Sequence, residues 1–306
     1  MESRVESVTE WIHRPLPAEV NALFRIAVGV TSILTYLLFL PYLELFFADT
    51  GIVPEQQVAM WLEFDWSVFH FNNSLAAVWV AYALLLFCLT SFTLGVWTRT
   101  CAAIGYVLSL SFHHRFPFLG EGTLGLINFY LFASIFAPLS DTWYLSPSTL
   151  KWNSKPTQRS SVFLRLIQVR VFLAMLSMVL AKFTDSNWLQ GTIMKGVWVH
   201  PSTTINLSFL AANDTIVAAA TYGSFFVEIF FCVGLFFSET RRAALFLGIG
   251  LLLMIGLTLT TVYFSEVMLA GVLLLLTRDD LALLKRSFRQ SSDFLRMKSH
   301  ARPVAK

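Results

Sequence analysis

Charge is scarce in this sequence. Asp, Glu, Lys and Arg make up 13% of 306 residues, about half the share in a soluble domain. Cysteine is scarce too: Cys88, Cys101 and Cys232 all fall in apolar runs and read as small hydrophobes. No Cys-x-x-Cys occurs, so neither a disulfide framework nor a dithiol redox centre is expected. No His-x3-His or cysteine cluster offers a metal ligand set. Internal repeats, low-complexity segments and a Gly-rich phosphate loop are also missing.

What is present is apolar. The chain is 56% hydrophobic with a mean hydropathy of +0.65. An all-α, multi-pass integral membrane protein is the expected class. A span needs about 20 mostly apolar residues. Segments 21–41, 75–97, 100–114, 123–139, 162–182 and 216–238 qualify, and the run 243–277 is long enough for two, broken near Thr260 to Ser265 as 243–260 and 264–277. Eight transmembrane helices follow. The organisation is an N-terminal cytoplasmic or interfacial segment (1–20), a membrane domain (21–277) and a basic cytoplasmic tail (278–306). Met1 to Val20 is charged, carries Pro15 and Pro17, and shows no cleavable signal pattern.

Basic residues set the orientation. With eight spans and an inside N-terminus, the outside holds only Arg115, Lys182 and Lys195, while Arg241, Arg242 and eight basic residues after Leu276 lie inside. The positive-inside rule therefore puts both termini in the cytoplasm. The outer 48–74 loop has no Lys or Arg, and its Trp61 and Trp66 suit an interface. The basic tail reads as a lipid-facing anchor rather than a nucleic-acid site.

Ionisable groups at membrane depth are costly and ask for a reason. His113, His114 and Arg115 end the third span, Lys182 ends the fifth, and Glu266 sits between the seventh and eighth. All five fall on the outer face, which points to an outward polar pocket. Two readings stay open for Lys182: its amine snorkels to the headgroups, or it is desolvated and serves as a base. His113 and His114 are either an interfacial pair at a helix end or part of that pocket. Arg25, Arg165 and Arg170 lie toward the inner ends of their spans and read as structural bridges. Arg170, the deepest, is expected to have a carboxylate or carbonyl partner. Glu228 is mid-span and should face the bundle beside a group the sequence does not identify.

Several motifs then line up in order. They are Arg14-Pro-Leu-Pro17 with Leu23-Phe-Arg-Ile-Ala-Val-Gly29, Leu45-Phe-Phe-Ala-Asp-Thr-Gly-Ile-Val-Pro54, and Ser111-Phe-His-His-Arg-Phe-Pro117 with Gly120-Glu-Gly122. Phe136-Ala-Pro-Leu-Ser-Asp-Thr-Trp-Tyr-Leu145, Gln168-Val-Arg170, Leu180-Ala-Lys182 through Trp188-Leu-Gln-Gly191, and Phe264-Ser-Glu-Val-Met-Leu269 follow. Together they resemble the HTTM family, the membrane domain of vitamin K-dependent γ-carboxylases and their bacterial stand-alone relatives. The resemblance runs from about residue 14 to 277. Departures are Thr123, where many relatives have Asp, and Asn128, near a usual Arg.

The resemblance implies a chemistry. Lys182 would be the base that deprotonates reduced vitamin K or menaquinol, assisted by His113 or by His114. O2 would be the oxidant, and CO2 a co-substrate if a glutamyl peptide is carboxylated. Arg115, Trp188 and Glu266 would border the site, with no metal. The implied setting is a bacterial plasma membrane with the pocket outside. Stand-alone members resemble the B component of the sporulation-delaying toxin maturation system. That kinship implies a second possibility, a non-catalytic maturation or immunity partner of a small exported peptide. A lipid-binding protein or transporter is a third.

Overall fold

The computed structural model describes residues 8–52, 66–118, 121–140, 142–145, 152–153, 161–201, 203–259, 263–283 and 286. Trp61, expected at an interface, and most of the basic tail lie outside them. The described chain is helical apart from one antiparallel two-residue pair, β1 (Tyr144–Leu145) with β2 (Trp152–Asn153). Its helices are α1 (Val8–His13), α2 (Ala18–Phe39), α3 (Leu43–Phe47), α4 (Leu75–Leu94), α5 (Thr98–Arg115) and α6 (Glu121–Phe136). They continue with α7 (Val162–Lys182), α8 (Ser186–Leu189), α9 (Ile193–Val199), α10 (Asp214–Gly234), α11 (Ser238–Thr258) and α12 (Phe264–Val272).

Local chemistry sets the ends. Pro41 removes a backbone donor, and the run tightens into a 3-10 turn (Leu40–Tyr42) between α2 and α3. Ser74 caps α4 and Asn213 caps α10 by accepting backbone N–H bonds. Gly95 takes the left-handed conformation that ends α4, short of the expected residue 97. The long last run breaks as expected, with α11 ending at Thr258 and α12 starting at Phe264.

Five helical stretches are long and apolar enough to cross a membrane: Ala18–Phe47, Leu75–Leu94, Val162–Lys182, Asp214–Gly234 and Ser238–Thr258. In each, no more than 44% of the apolar window is buried. More than half of each window is therefore exposed or only half-buried. On α7 the exposed Leu166, Leu173 and Leu180 form a stripe at seven-residue spacing. A surface so apolar fits lipid and not water, and the protein is a membrane-embedded helical bundle. Gly122–Phe136 and Phe264–Leu275 are apolar but shorter.

Contacts fix which ends lie together. The start of α6 meets the start of α12, because a Cβ on Gly122 would stand 3.2 Å from the Phe264 ring. Glu266 lies against Gly256 near the end of α11. At the other end of α12, Leu274 O accepts from Gln168 Nε2 (2.6 Å), near the start of α7. So α12 and α6 run one way, and α7 and α11 the other. The ends of α5 and α7 and the start of α12 share one end of the bundle, which places His113, Lys182 and Glu266 on a common side.

Gly271 is where three helices close on one another. A Cβ there would be 2.2 Å from the Tyr130 hydroxyl and 2.4 Å from Val171 Cγ2. Small residues at such crossings let membrane helices approach closely. Gly271→Val should therefore lower the thermal unfolding midpoint, at a cost of about 1–3 kcal/mol. Gly125→Ala, with nothing within 4 Å of the added Cβ, is the control and should leave the midpoint unchanged.

Candidate functional site

The depth of Lys182 is set by how α10 runs beside α7. Phe183 meets Phe225 at 5.0 Å, and Phe172 meets Phe236 at 5.5 Å. In that register the part of α10 before Phe225 projects past the end of α7 by roughly 16 Å. The short helices α8 and α9 pack along the projecting part: Tyr222 Oη donates to Leu189 O (3.0 Å) and Met194 N to Thr221 Oγ1 (3.4 Å). Gly191 makes this turn at φ +73°, and a Cβ there would sit 2.8 Å from the Tyr222 ring. Lys182 thus ends its own helix without reaching the end of the bundle.

Its amine does not snorkel outward. Lys182 Nζ forms an ion pair and hydrogen bond with Glu228 Oε1 on α10. The two side chains are 12% and 1% exposed, so both charges are withdrawn from water. The Trp188 ring lies over Nζ at 4.0 Å to its centroid, a cation–π contact strengthened by desolvation. Trp188 leans on Phe225 at 6.2 Å. Glu228 Oε2 is buried and accepts no hydrogen bond. A buried acceptor left open is expensive, and this one belongs to a carboxylate whose other oxygen is paired with a cation. Glu228 has therefore found its partner, and that partner is Lys182.

His113 belongs to a different network. Asn128 Nδ2 donates to His113 Nδ1 (3.1 Å). Asn128 Oδ1 accepts from Ser109 Oγ, which accepts in turn from Tyr36 Oη (2.7 Å). With Nδ1 accepting, the ring proton is on Nε2. Asn128, which looked only like a departure from the family pattern, holds the histidine. An amide at helix depth on the helix that follows the His–His motif was the available signal.

His114 and Arg115 face the connection between α3 and α4. His114 Nδ1 donates to Trp66 O (2.8 Å), and the buried Arg115 donates from Nη2 to Ala48 O (2.9 Å). Ser111 joins them: its Oγ accepts from Val68 N (3.1 Å) and its carbonyl from Ser67 Oγ (3.2 Å). The Ser-Phe-His-His-Arg motif thus turns two side chains, Phe112 and His113, inward and three toward that connection. Glu266 accepts from Ser265 Oγ (3.0 Å) and fits against the bare Cα of Gly256. The bonds described for Lys182, for the histidines and for Glu266 run within each group. They share an end of the bundle, but not one contact network.

The three arginines differ. Arg25 is buried and donates to Leu139 O, Thr142 O, Trp143 O and Thr93 O. Arg165 bonds Gln168 Oε1 (2.8 Å) and Arg14 O (2.7 Å), and lies over Trp11 at 4.8 Å. Both bridge segments, as expected. Arg170 does not have the expected carboxylate or carbonyl: among the described residues none accepts from it, and it acts through charge on Tyr130.

Searches against family models, curated proteins and solved structures return no match to this chain.

Proposed function

We propose that the protein crosses a bacterial plasma membrane eight times, with both termini cytoplasmic, and oxidises a reduced quinone with O2 at an outward-facing site. Vitamin K hydroquinone or menaquinol is the expected cofactor, and the Lys182–Glu228 pair is the base. The resemblance of the motifs to the HTTM family supplies the chemical class. The observation that carries the reading is the buried ion pair, its ammonium under the Trp188 ring and one carboxylate oxygen left open.

The residues fit a hydroquinone. Its ring matches the faces of Trp188 and Phe225, and a hydroxyl is the donor that Glu228 Oε2 lacks. When bound, the group would supply four electrons to O2, two in reaching the quinone level and two in epoxidation: hydroquinone plus O2 gives quinone epoxide plus water, one oxygen atom of O2 going to each product.

The side chains then have distinct tasks. Glu228 and Lys182 together carry no net charge. Glu228 Oε2 accepts the hydroxyl proton, the donor's O–H bond breaks as the carboxyl O–H forms, and the Lys182 ammonium stays beside the oxygen that gave it up. Positioned proton acceptance of this kind contributes about 10²–10⁴-fold. Trp188 and the α8–α9 segment keep water from the ammonium. His113, held by Asn128 with a proton on Nε2, is a second donor at the same end of the bundle. Carboxylation of a glutamyl peptide with CO2 would be a further step.

The test uses protein reconstituted in lipid with vitamin K hydroquinone, O2 and bicarbonate, and reads epoxide. Native protein should form it, and Lys182→Ala should lose at least about 10²-fold in turnover. Lys182→Met/Glu228→Met, in which no charge is left unpaired, provides a folded variant that should also be inactive. Epoxide formation by the folded double variant would remove the pair from catalysis. Failure of native protein with both vitamin K hydroquinone and menaquinol would end the redox reading.

A further inference from the structure

A cavity of about 1250 Å³ opens at the end of the bundle opposite Lys182. It exceeds the roughly 300–1,000 Å³ of small-molecule pockets. Five arginines stand on its wall: Arg14, Arg165, Arg241, Arg242 and Arg278. Two acids, Glu239 and Asp279, oppose them. The rest of the lining is largely apolar and includes Val169, Phe172 and Phe236. Phe236 is 74% exposed, so this wall continues onto the outward, lipid-facing surface of the helices.

The arginines are arranged in two ways. Arg165 is buried and spanned between Arg14 O and Gln168. Arg241 and Arg242 hang on Asp280: Nη2 of Arg241 is 2.7 Å from Oδ2, and Nε of Arg242 is 3.2 Å from Oδ1 but misaligned for a hydrogen bond. Burial alone would raise the Asp280 pKa. Hydrogen bonds from the Thr277 hydroxyl and backbone N–H, with the Arg241 and Arg242 charges, outweigh it and hold the carboxyl below its ordinary range. Asp280 is thus a fixed carboxylate that orients two guanidinium groups from behind. Arg242 keeps half its surface open, at 53%, and Arg278 is exposed.

We infer that this cavity binds an anionic phospholipid, with the headgroup phosphate between Arg242 and Arg278 and the acyl chains along Phe172 and Phe236. The excess of arginine selects negative charge, and the planar guanidinium matches phosphate oxygens. The apolar wall selects the lipid over a soluble phosphate, which would leave Val169 and Phe236 wet. Basic pockets between membrane helices at the cytoplasmic side have this chemistry. The site is separate from the Lys182 chemistry and stands without it.

Native mass spectrometry of the intact detergent-purified chain tests it, with phosphatidylglycerol, phosphatidylcholine of the same chains, and glycerol phosphate. Phosphatidylglycerol should be retained about tenfold more strongly than phosphatidylcholine, a preference expected of a site with two open guanidinium groups. Arg242→Gln/Arg278→Gln should weaken phosphatidylglycerol by about fivefold for each charge removed. Arg278→Glu, at an exposed position, repeats the test without touching Asp280 and should weaken it at least as much as one removed charge. Equal retention of the two lipids overturns the proposal, as does an unchanged preference in both variants. Displacement of phosphatidylglycerol by glycerol phosphate alone would make this a soluble-phosphate site instead.

Discussion

Glu228→Met should destabilise the protein by about 3–5 kcal/mol, and Lys182→Met should do the same, because either leaves one charge buried and unpaired. Glu228 is 1% exposed and its Oε2 already accepts no hydrogen bond. Losing Lys182 would leave both carboxylate oxygens buried without a donor. Losing the carboxylate would leave the ammonium with Trp188 alone, and a cation–π contact offsets only about 2 kcal/mol when desolvated. The double variant Lys182→Met/Glu228→Met removes both charges, and replacing a buried pair by packed apolar groups is often neutral or stabilising. It should recover most of the loss. Unfolding in detergent, read for the four proteins as a double-mutant cycle, gives the coupling. Additive losses would mean that the two groups do not act on each other.

The pair also separates what the sequence discloses from what it does not. An apolar run ending in Lys182 was visible, and so was a lone carboxylate at Glu228. That they meet was not. Their meeting depends on the register between α7 and α10, which Phe183–Phe225 and Phe172–Phe236 set through packing across a 31-residue connection. Hydropathy located α2, α4, α5, α6, α7, α10, α11 and α12, because apolar length is a local property, but not the short α1, α3, α8 and α9. Five stretches are long and apolar enough to cross a membrane, while Gly122–Phe136 and Phe264–Leu275 are apolar but shorter. The helix break near residue 260 was legible because Thr260, Thr261 and Ser265 interrupt the apolar run. Asn128 was passed over because its partner, His113, lies one helix away. The arginine cavity was not foreseen at all. Its five arginines come from four places in the chain, between residues 14 and 278, and only α1, α7 and α11 packing around the end of α12 brings them together.

Arg25→Met should cost about 3–5 kcal/mol as well, through backbone rather than through a counter-charge. Arg25 is 0% exposed. Its guanidinium donates to the carbonyls of Leu139 (2.6 Å), Thr142 (3.4 Å) and Trp143, and from Nε to Thr93 (3.3 Å). These groups end α4 and begin the connection after α6, so one side chain ties three helices. Trp143 holds φ at +49°, a conformation costly for a large side chain, and its carbonyl is one of those Arg25 secures. Gly95, at φ +79°, lacks the Cβ that would stand 2.9 Å from Arg25 Cζ. Methionine fills similar space but leaves these carbonyls buried without a donor. Arg25→Lys should be nearly as damaging, since an ammonium cannot spread planar donors over four acceptors. The unfolding midpoint checks both variants, and full rescue by lysine would show that positive charge alone suffices. Arg25 sits among the ends of α4 and α6, away from Lys182. Its loss should therefore lower the amount of folded protein while leaving epoxide formed per folded molecule unchanged, the reverse of what the Lys182→Met/Glu228→Met variant should do.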